Sequence, residues 1–234
     1  MTSTKSLPGT SVPFQHRPRM NHLVITGGSG GLGRALVTAF QSPLWRIAAP
    51  GRHELDVTDA AAVRAYFHGR VVDLLICAAG ITGDAPLVRL EARVWDEVLA
   101  VNLGGAAACA AAVLPGMMAR GSGHLMFISS FSALHPPPGQ AAYATAKASL
   151  LGLTHDLARR HGRHGVRANA ILPGFLATPM TRPVTAKRRA QILAEHSLGV
   201  FNTPSAVAAF MHHLHHQLPH TSGQVFQLDS RHAP

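Results

Sequence analysis

The sequence is short of negative charge. Asp and Glu together number 11 against 21 Lys and Arg, which gives a formal net charge of +10 at pH 7. An excess of this size is compatible with nucleic acid, a membrane surface or an anionic ligand as a partner. The basic residues are spread over separate groups near positions 17–19, 159–163 and 187–189. They therefore indicate a solvated surface that can steer a phosphorylated ligand, and no nucleic-acid partner is expected.

Cysteine and long hydrophobic runs are scarce as well. Only Cys77 and Cys109 are present, too few for a disulfide framework, and each lies in an apolar stretch typical of a core. No apolar run is predicted to reach the roughly 18 to 20 residues that a membrane-spanning helix needs, and the N-terminal segment lacks the apolar centre of a signal peptide. We therefore expect a cytoplasmic protein without a membrane partner.

The chain divides into a short tail and one larger unit. Residues 1–20 mix Ser, Thr, Pro and basic side chains without periodicity. Such a segment cannot bury enough apolar surface to offset its ordering entropy, so a flexible tail is predicted. Residues 21–234 are long enough for one α/β domain with a sizeable core, and no internal repeat is found in them.

Within that domain, strand-like and helix-like segments alternate. Strands are predicted at 22–26, 46–49, 72–78, 123–130, 166–172 and 223–228, and helices at 34–40, 59–68, 90–120 and 142–160. The alternation predicts a Rossmann-type, doubly wound parallel sheet with helices on both faces. After the second strand, residues 50–54 are too few for a parallel crossover. The edge strand that would follow is therefore predicted to be lost or reduced.

A glycine-rich turn joins the first strand to the first helix. At this place backbone amides and the helix dipole can hold a pyrophosphate, and glycine is needed because a Cβ would block the approach. The spacing is T-G-x-x-x-G-x-G rather than G-x-G-x-x-G. The residues predicted to contact a dinucleotide here are Thr26, Gly27, Ser29, Gly31, Leu32 and Gly33.

A second group of residues suits acid/base chemistry. Tyr143 and Lys147 are four apart on a predicted helix and share one face, so Lys147 is expected to lower the pKa of the phenol. Ser130 lies thirteen residues before Tyr143, at the end of a strand. Tyr143 and Lys147 suit a site in which a tyrosine exchanges a proton with a carbonyl or alcohol, but the same pair by itself is also typical of an ordinary amphipathic helix.

These patterns, taken in order from residue 22 to about 229, resemble the short-chain dehydrogenase/reductase family, and most of all bacterial 3-oxoacyl-ACP reductases. The resemblance implies that Ser130 hydrogen-bonds the substrate oxygen, Tyr143 transfers the proton and Lys147 also holds the nicotinamide ribose. Asn102 matches the family's fourth member, an asparagine in a distorted helix whose carbonyl holds a proton-relaying water.

The resemblance extends to the rest of the cofactor site. Where the family has Asn-Asn-Ala-Gly, this chain has Cys77, Ala78, Ala79 and Gly80, so two asparagine side chains are missing. The matching positions implied to contact the cofactor are Asp56, Val57, Ala79, Gly80, Pro173, Gly174 and Thr178.

Cofactor choice depends on the end of the second strand, where a carboxylate would select NAD(H). Residues 49–52 contain no carboxylate, and Arg52 is available as a phosphate ligand, so NADP(H) is favoured over NAD(H). Glu54 lies close enough in sequence to weaken this preference.

We therefore predict an NADPH-dependent ketoreductase that transfers hydride to a carbonyl. The resemblance implies a 3-oxoacyl thioester on acyl carrier protein, which Arg120 and Arg163 would meet, a lid at 181–201, and a homo-oligomer, either dimer or tetramer. Alternatives are a reductase or dehydrogenase of a free small ketone or secondary alcohol, and a non-catalytic NAD(P)-binding regulator. His212, His215 and His216 share a helical face, but no carboxylate or cysteine flanks them and no metal site is expected.

Overall fold

The computed structural model describes residues 20–231, and the tail predicted at 1–20 lies outside them except for Met20. Its six strands form one sheet in the order β2-β1-β3-β4-β5-β6, and every neighbouring pair is parallel. The strands are β1 Asn21–Thr26, β2 Trp45–Ala48, β3 Leu74–Cys77, β4 Gly123–Ile128, β5 Val166–Leu172 and β6 Val225–Gln227.

Helices cover both faces of this sheet. They are α1 Gly31–Phe40, α2 Ala60–Phe67, α3 Ala92–Leu99, α4 Gly105–Arg120, α5 Ala141–His161, α6 Ala186–Ala194 and α7 Pro204–Gln217. One buried cluster joins the sheet to α2, α4 and α5, and a second joins it to α1 and α7. The predicted doubly wound α/β fold is confirmed.

The period of the strands explains the two clusters. Leu23 and Ile25 of β1 belong to the α1 and α7 side, whereas Val24 between them belongs to the other side. Because successive strand residues point to opposite faces, a strand buried on both faces is apolar throughout. This is why β3 and β4 contain continuous apolar runs.

The predicted loss of an edge strand is also confirmed, because β2 lies at the edge of the sheet. The segment after it turns back, with the amides of Glu54 and Leu55 both donating to the carbonyl of Gly51. Leu55 and Val57 are buried against the α2 side without joining the sheet. Helix α2 then begins after Asp59, whose Oδ1 accepts from the amides of Ala61 and Ala62 at 2.8 and 3.0 Å.

Helices α3 and α4 form one helical run, interrupted by a π-helical turn at Ala100–Gly104. The sequence prediction that no apolar stretch is long enough to cross a membrane is wrong for this run, Ala92–Arg120, which is 29 residues long and contains an 18-residue window with a mean hydropathy of 1.8. No side chain between Glu97 and Arg120 is charged. The inner side of α4, including Cys109 and Met117, packs in the core, and core helices pass the same test of length and composition.

Candidate active site

A cleft of about 1860 Å³ runs along the carboxyl ends of the strands, where open parallel sheets bind their ligands. The segments that follow β1, β3, β4 and β5 line it. The predicted cofactor residues that line this cleft are Gly27, Ser29, Gly31, Leu32, Gly33, Arg52, Asp56, Val57, Ala79, Gly80, Tyr143, Lys147, Pro173, Gly174 and Thr178. Thr26 and Asn102 lie buried behind its wall.

The glycine-rich turn is packed so closely that side chains would not fit. Gly27 has φ +70°, and a Cβ on it would lie 2.8 Å from the backbone nitrogen of Ala79. A Cβ on Gly33 would lie 2.6 Å from the carbonyl oxygen of Gly27. Gly30 is the N-cap of α1, and no side chain caps the first turn. The free amides of that turn therefore suit an anionic ligand such as a pyrophosphate.

Two predicted contact residues beyond β5 are closely packed. A Cβ on Gly31 would lie 2.7 Å from the γ-methyl of Thr178, whose amide donates to Thr181 Oγ1 at 3.0 Å. Gly174 has φ +82°, and a Cβ there would lie 2.6 Å from Cβ of Asp229. The proline–glycine turn is thus packed against the C-terminal segment.

The ends of β1 and β3 are joined by Thr26, whose Oγ1 accepts from the amide of Ala79 at 3.3 Å. Cys77 occupies a position where the family has asparagine, and its thiol is buried 3.8 Å from the carbonyl of Ala106. Burial raises the pKa of the Cys77 thiol well above its ordinary value. Cys77 is therefore a core residue, as predicted.

At the far end of the cleft, Arg52, Glu54 and Asp56 have partners within the chain. Arg52 Nε lies 3.5 Å from Asp56 Oδ2, and Glu54 Oε2 accepts from the amide of Gly51 at 2.8 Å. Asp56 Oδ1 accepts from the amide and hydroxyl of Thr58 at 2.9 and 2.7 Å. These bonds from Thr58, with the charge of Arg52, lower the pKa of Asp56. Asp56 has a turn-stabilising role in addition to its place in the cleft.

Tyr143 and Lys147 project from the first turns of α5 toward the residues that follow β4. Burial is partial for Tyr143 and nearly complete for Lys147. Ser130 lies close enough to the phenol for its side chain to lower the pKa of Tyr143, and its hydroxyl accepts from the amide of Ser132 at 3.1 Å. Lys147 Nζ donates to the carbonyl of Ile128 at 2.9 Å and lies 5.6 Å from the Tyr143 ring centroid. The three predicted residues come together at one place.

Asn102 completes this group from the π-helical turn, which confirms the predicted distorted helix. Its Nδ2 donates to the carbonyls of Val98 and Ile81, both at 2.9 Å, while its buried Oδ1 has no hydrogen-bond partner within residues 20–231. A Cβ on Gly80 would lie 2.7 Å from that Oδ1 and 3.4 Å from Lys147 Nζ. Glycine at 80 therefore keeps open a small polar space between Asn102 and Lys147. A buried acceptor without a partner in such a space is suited to a water or ligand donor.

The electrostatics correct one sequence prediction. Lys147 was expected to lower the pKa of Tyr143, but the pKa of Tyr143 is raised because burial disfavours the phenolate. The Ser130 hydrogen bond lowers the pKa and the charge of Asp84 raises it. Burial also lowers the pKa of Lys147 to about 8. Tyr143 is thus a protonated acid at neutral pH, ready to donate.

A hydrogen-bonded chain at this site was not predicted from the sequence. Gln140 Nε2 donates to Asp84 Oδ2 at 2.8 Å, and its Oε1 accepts from the hydroxyl of Ser132 at 2.9 Å. The chain links the segment after β3 to the turn that carries Ser130. No spacing signal predicts it, because Asp84 and Gln140 are far apart in the sequence.

A family model described as enoyl-(acyl carrier protein) reductase matches residues 32–230. The chain belongs to the short-chain dehydrogenase/reductase family. It is therefore an NAD(P)-dependent oxidoreductase, and its glycine turn and tetrad fit that cofactor class. Within residues 20–231, no three His, Cys, Asp or Glu residues are grouped so that they could hold a metal ion.

Relatives within this family carry several names. The chain is 32% identical over 234 residues to the 3-oxoacyl-(acyl-carrier-protein) reductase FabG of Thermotoga maritima, covering 88% of this chain and 95% of that protein. It is 32% identical to human (3R)-3-hydroxyacyl-CoA dehydrogenase, covering 83% and 88%.

Among solved structures, a candidate NAD(P)-dependent gluconate 5-dehydrogenase from Beutenbergia cavernae matches with a TM-score of 0.86 and 28% identity, covering 91% of this chain and 96% of that one. That crystal contains NADP at low occupancy. A short-chain dehydrogenase/reductase from Burkholderia thailandensis matches with a TM-score of 0.83 and 29% identity, covering 90% and 91%.

Proposed function

We propose that this short-chain dehydrogenase/reductase is an NADPH-dependent ketoreductase, with a 3-oxoacyl thioester on acyl carrier protein as its substrate. The observation that carries the proposal is that Ser130, Tyr143 and Lys147 meet in one cleft with a glycine-rich helix N-terminus, while Asn102 is buried behind the wall of that cleft. An acid beside a dinucleotide cradle suits carbonyl reduction.

A nicotinamide dinucleotide held in this cleft would supply the hydride for the carbonyl carbon. Tyr143, protonated at neutral pH, donates its proton to the carbonyl oxygen, and Ser130 hydrogen-bonds the same oxygen. Lys147 uses one N–H for the carbonyl of Ile128, so its other donors are available to the ribose and to the polar space beside Asn102. Together these residues bind the substrate oxygen and can return a proton to Tyr143 after it has donated its own.

The preference for NADPH is supported by Arg52, which is 70% exposed at the end of β2 and can leave Asp56 for a ribose phosphate. Glu54 opposes it. However, its carboxylate is already bonded to the amide of Gly51. The preference for NADPH over NADH is therefore proposed, and turnover measured with both cofactors tests it.

The thioester substrate is supported by the relatives that act on 3-oxoacyl and 3-hydroxyacyl groups by name. The net charge of +10 suits an acidic carrier. Of the two arginines implied to meet it, Arg163 is exposed, whereas Arg120 Nη2 is bonded to the carbonyl of Val72 at 2.6 Å. Arg163 is the better candidate.

The decisive measurement compares NADPH and NADH oxidation on a free ketone, a 3-oxoacyl thioester of N-acetylcysteamine and a carrier-linked 3-oxoacyl chain. The proposal expects NADPH to be the better cofactor and the carrier-linked chain to have the highest kcat/KM. A higher value for the free ketone would favour the small-molecule alternative. No oxidation with any carbonyl would contradict the reductase itself.

A further inference from the structure

Arg231 reaches the substrate end of the cleft from the C-terminal segment. Its guanidinium carbon lies 3.7 Å from the ring centroid of Phe131, the residue after Ser130. The segment is held beside the region of the predicted lid by a β-bridge between Arg231 and His196 and by the amide of Ser197, which donates to the carbonyl of Ser230 at 3.0 Å. Arg231 is therefore a fixed part of the wall next to the catalytic serine.

The guanidinium is only partly paired. Nε and Nη2 of Arg231 both lie 2.6 Å from Oδ2 of Asp229, whose side chain is completely buried. Nη1 has only Glu195 Oε2 near it, at 3.9 Å, beyond hydrogen-bond distance. Although the Arg231 side chain is 9% exposed, this residue lines the cleft. Among the described residues, no hydrogen-bond acceptor is bound to Nη1.

Glu195 stands between two arginines. Its Oε2 faces Arg231, and its Oε1 lies 3.9 Å from Nη1 of Arg188 on α6. All three side chains line the cleft. Glu195 and Arg188 are each nearly half exposed, and Nη1 of Arg188 also donates to Oε1 of Gln191 at 3.4 Å. His196 is a further titratable group beside them, with Nε2 at 3.7 Å from Asp229 Oδ2.

The charges of this group balance to zero: Arg188 and Arg231 against Asp229 and Glu195. If Glu195 turns into solvent, one positive charge remains at the end of the cleft, which matches one carboxylate. Guanidinium groups bind carboxylates with strong, directional hydrogen bonds. The position that Glu195 bridges is therefore a ready place for a carboxylate from another molecule.

We propose that Arg231 and Arg188 form a subsite for a carboxylate that the substrate carries in addition to its reacting carbonyl, and that this carboxylate displaces Glu195. The inference rests on the proposed ketoreductase function and narrows its substrate class. The carboxylate belongs either to a free keto acid or to the far end of a thioester-linked 3-oxoacyl chain.

Two matched pairs of substrates test the subsite and distinguish the two sources: 5-oxohexanoate with 5-oxohexanamide, and the 3-oxoadipyl thioester of N-acetylcysteamine with its terminal amide. The readout is the ratio of kcat/KM for acid over amide with NADPH. The wild-type protein should favour the acid of at least one pair by roughly tenfold or more, and the pair with the larger ratio identifies the source.

The variants Arg231→Met and Arg188→Met should each reduce that ratio severalfold, and Glu195→Gln should increase it by removing the competing carboxylate. Lys187→Met is the matched control, because Lys187 is an exposed cation on the same helix that does not line the cleft, and it should leave the ratio unchanged. If Arg231→Met does not fold because Asp229 is left unpaired, the ratios of Arg188→Met and Glu195→Gln test the subsite.

Ratios near one in the wild-type protein, or an unchanged ratio in Arg188→Met, would overturn the subsite and leave the reductase intact. Thermal unfolding with NADP added provides a readout without turnover. In the pair that shows the larger kinetic ratio, the acid should raise the Tm of the wild-type protein more than the amide does. This difference in Tm should shrink in Arg188→Met. An equal rise for acid and amide would refute the subsite even if no carbonyl were reduced.

Discussion

The active site and a group of histidines on the opposite side of the sheet bury polar groups in different ways. The histidine cluster comprises His124 of β4, Asn169 of β5, and His215 and His216 of α7. Asn169 Oδ1 accepts from the amide of Gln224 at 3.0 Å, which orients its Nδ2 toward His124 Nε2 at 3.0 Å. Because an amide nitrogen only donates, His124 Nε2 is an acceptor.

The remaining protons of the histidine cluster follow from this assignment. His124 must carry its proton on Nδ1, which faces His215 Nδ1 at 3.2 Å. His216 Nε2 accepts from the indole of Trp45 at 3.3 Å. Two separate hydrogen bonds, His124 to His215 and Trp45 to His216, thus connect α7 to the sheet.

In the active site, by contrast, the buried Oδ1 of Asn102 has no hydrogen-bond partner in the part of the chain that the structure describes. Lys147 has one hydrogen bond, to the carbonyl of Ile128. Both clusters are costly to bury unless their polar groups are satisfied. The histidine cluster is satisfied within the chain, whereas the active site leaves its bonding capacity to ligands. The first stabilises the fold and the second serves chemistry.

The active site and the histidine cluster should respond differently to substitution, and the largest effect on activity is expected for Tyr143→Phe. Loss of the proton donor should lower kcat for NADPH oxidation with a carbonyl substrate by about a thousandfold, while cofactor affinity changes little. Tyr66→Phe is the control, since Tyr66 is the other tyrosine of the chain and should retain its rate. A Tyr143→Phe rate within tenfold of the wild-type rate would contradict the assignment of Tyr143 as the acid.

Gly80→Ala should have the next largest effect. Its Cβ would lie 2.7 Å from Asn102 Oδ1, so Asn102 or Lys147 must shift, and kcat should fall by roughly tenfold to a hundredfold. Gly152→Ala on α5 is the control, because a Cβ there meets nothing within 4 Å. Steady-state kinetics measures kcat for both variants, and an equal kcat for Gly80→Ala and Gly152→Ala would refute the role of the polar space.

The smallest effect concerns the histidine cluster and stability. Burial lowers the pKa of His215 to about 3 and that of His124 well below its ordinary value. Below about pH 6.5, His124 and His215 take up protons in the unfolded chain but stay neutral in the folded chain. The free energy of unfolding therefore falls as the pH falls toward the folded pKa values.

Replacing His215 should remove about one proton from this difference. In His215→Gln the pH dependence of the unfolding free energy, measured by urea denaturation between pH 7 and 5, should weaken by at most about 1.4 kcal/mol per pH unit. His213→Gln, an exposed neighbour on α7, should change the slope much less. Equal slopes for wild type and His215→Gln would show that the cluster does not resist protonation.

Local patterns in the sequence predicted most of the elements. The predicted helix at 142–160 is Ala141–His161, and the predicted strand at 166–172 is Val166–Leu172. The predicted helix at 90–120 is divided by the π-helical turn that carries Asn102. Apolar periodicity indicates where a helix runs. A single π-helical turn, in which the hydrogen bonds span one residue more than in an α-helix, changes that periodicity too little to be detected in the sequence.

The sequence by itself determined the parallel α/β fold, the glycine-rich turn and the Ser130, Tyr143 and Lys147 spacing, because each is a short-range pattern of burial or a helical period. Only the tertiary structure decided the direction of the Tyr143 pKa and the place of Arg231 beside Phe131. Desolvation and ion pairing depend on which distant segments pack together, and no local spacing encodes that packing. The acid was therefore predictable as a residue, while its protonation state and the wall of its substrate site were not.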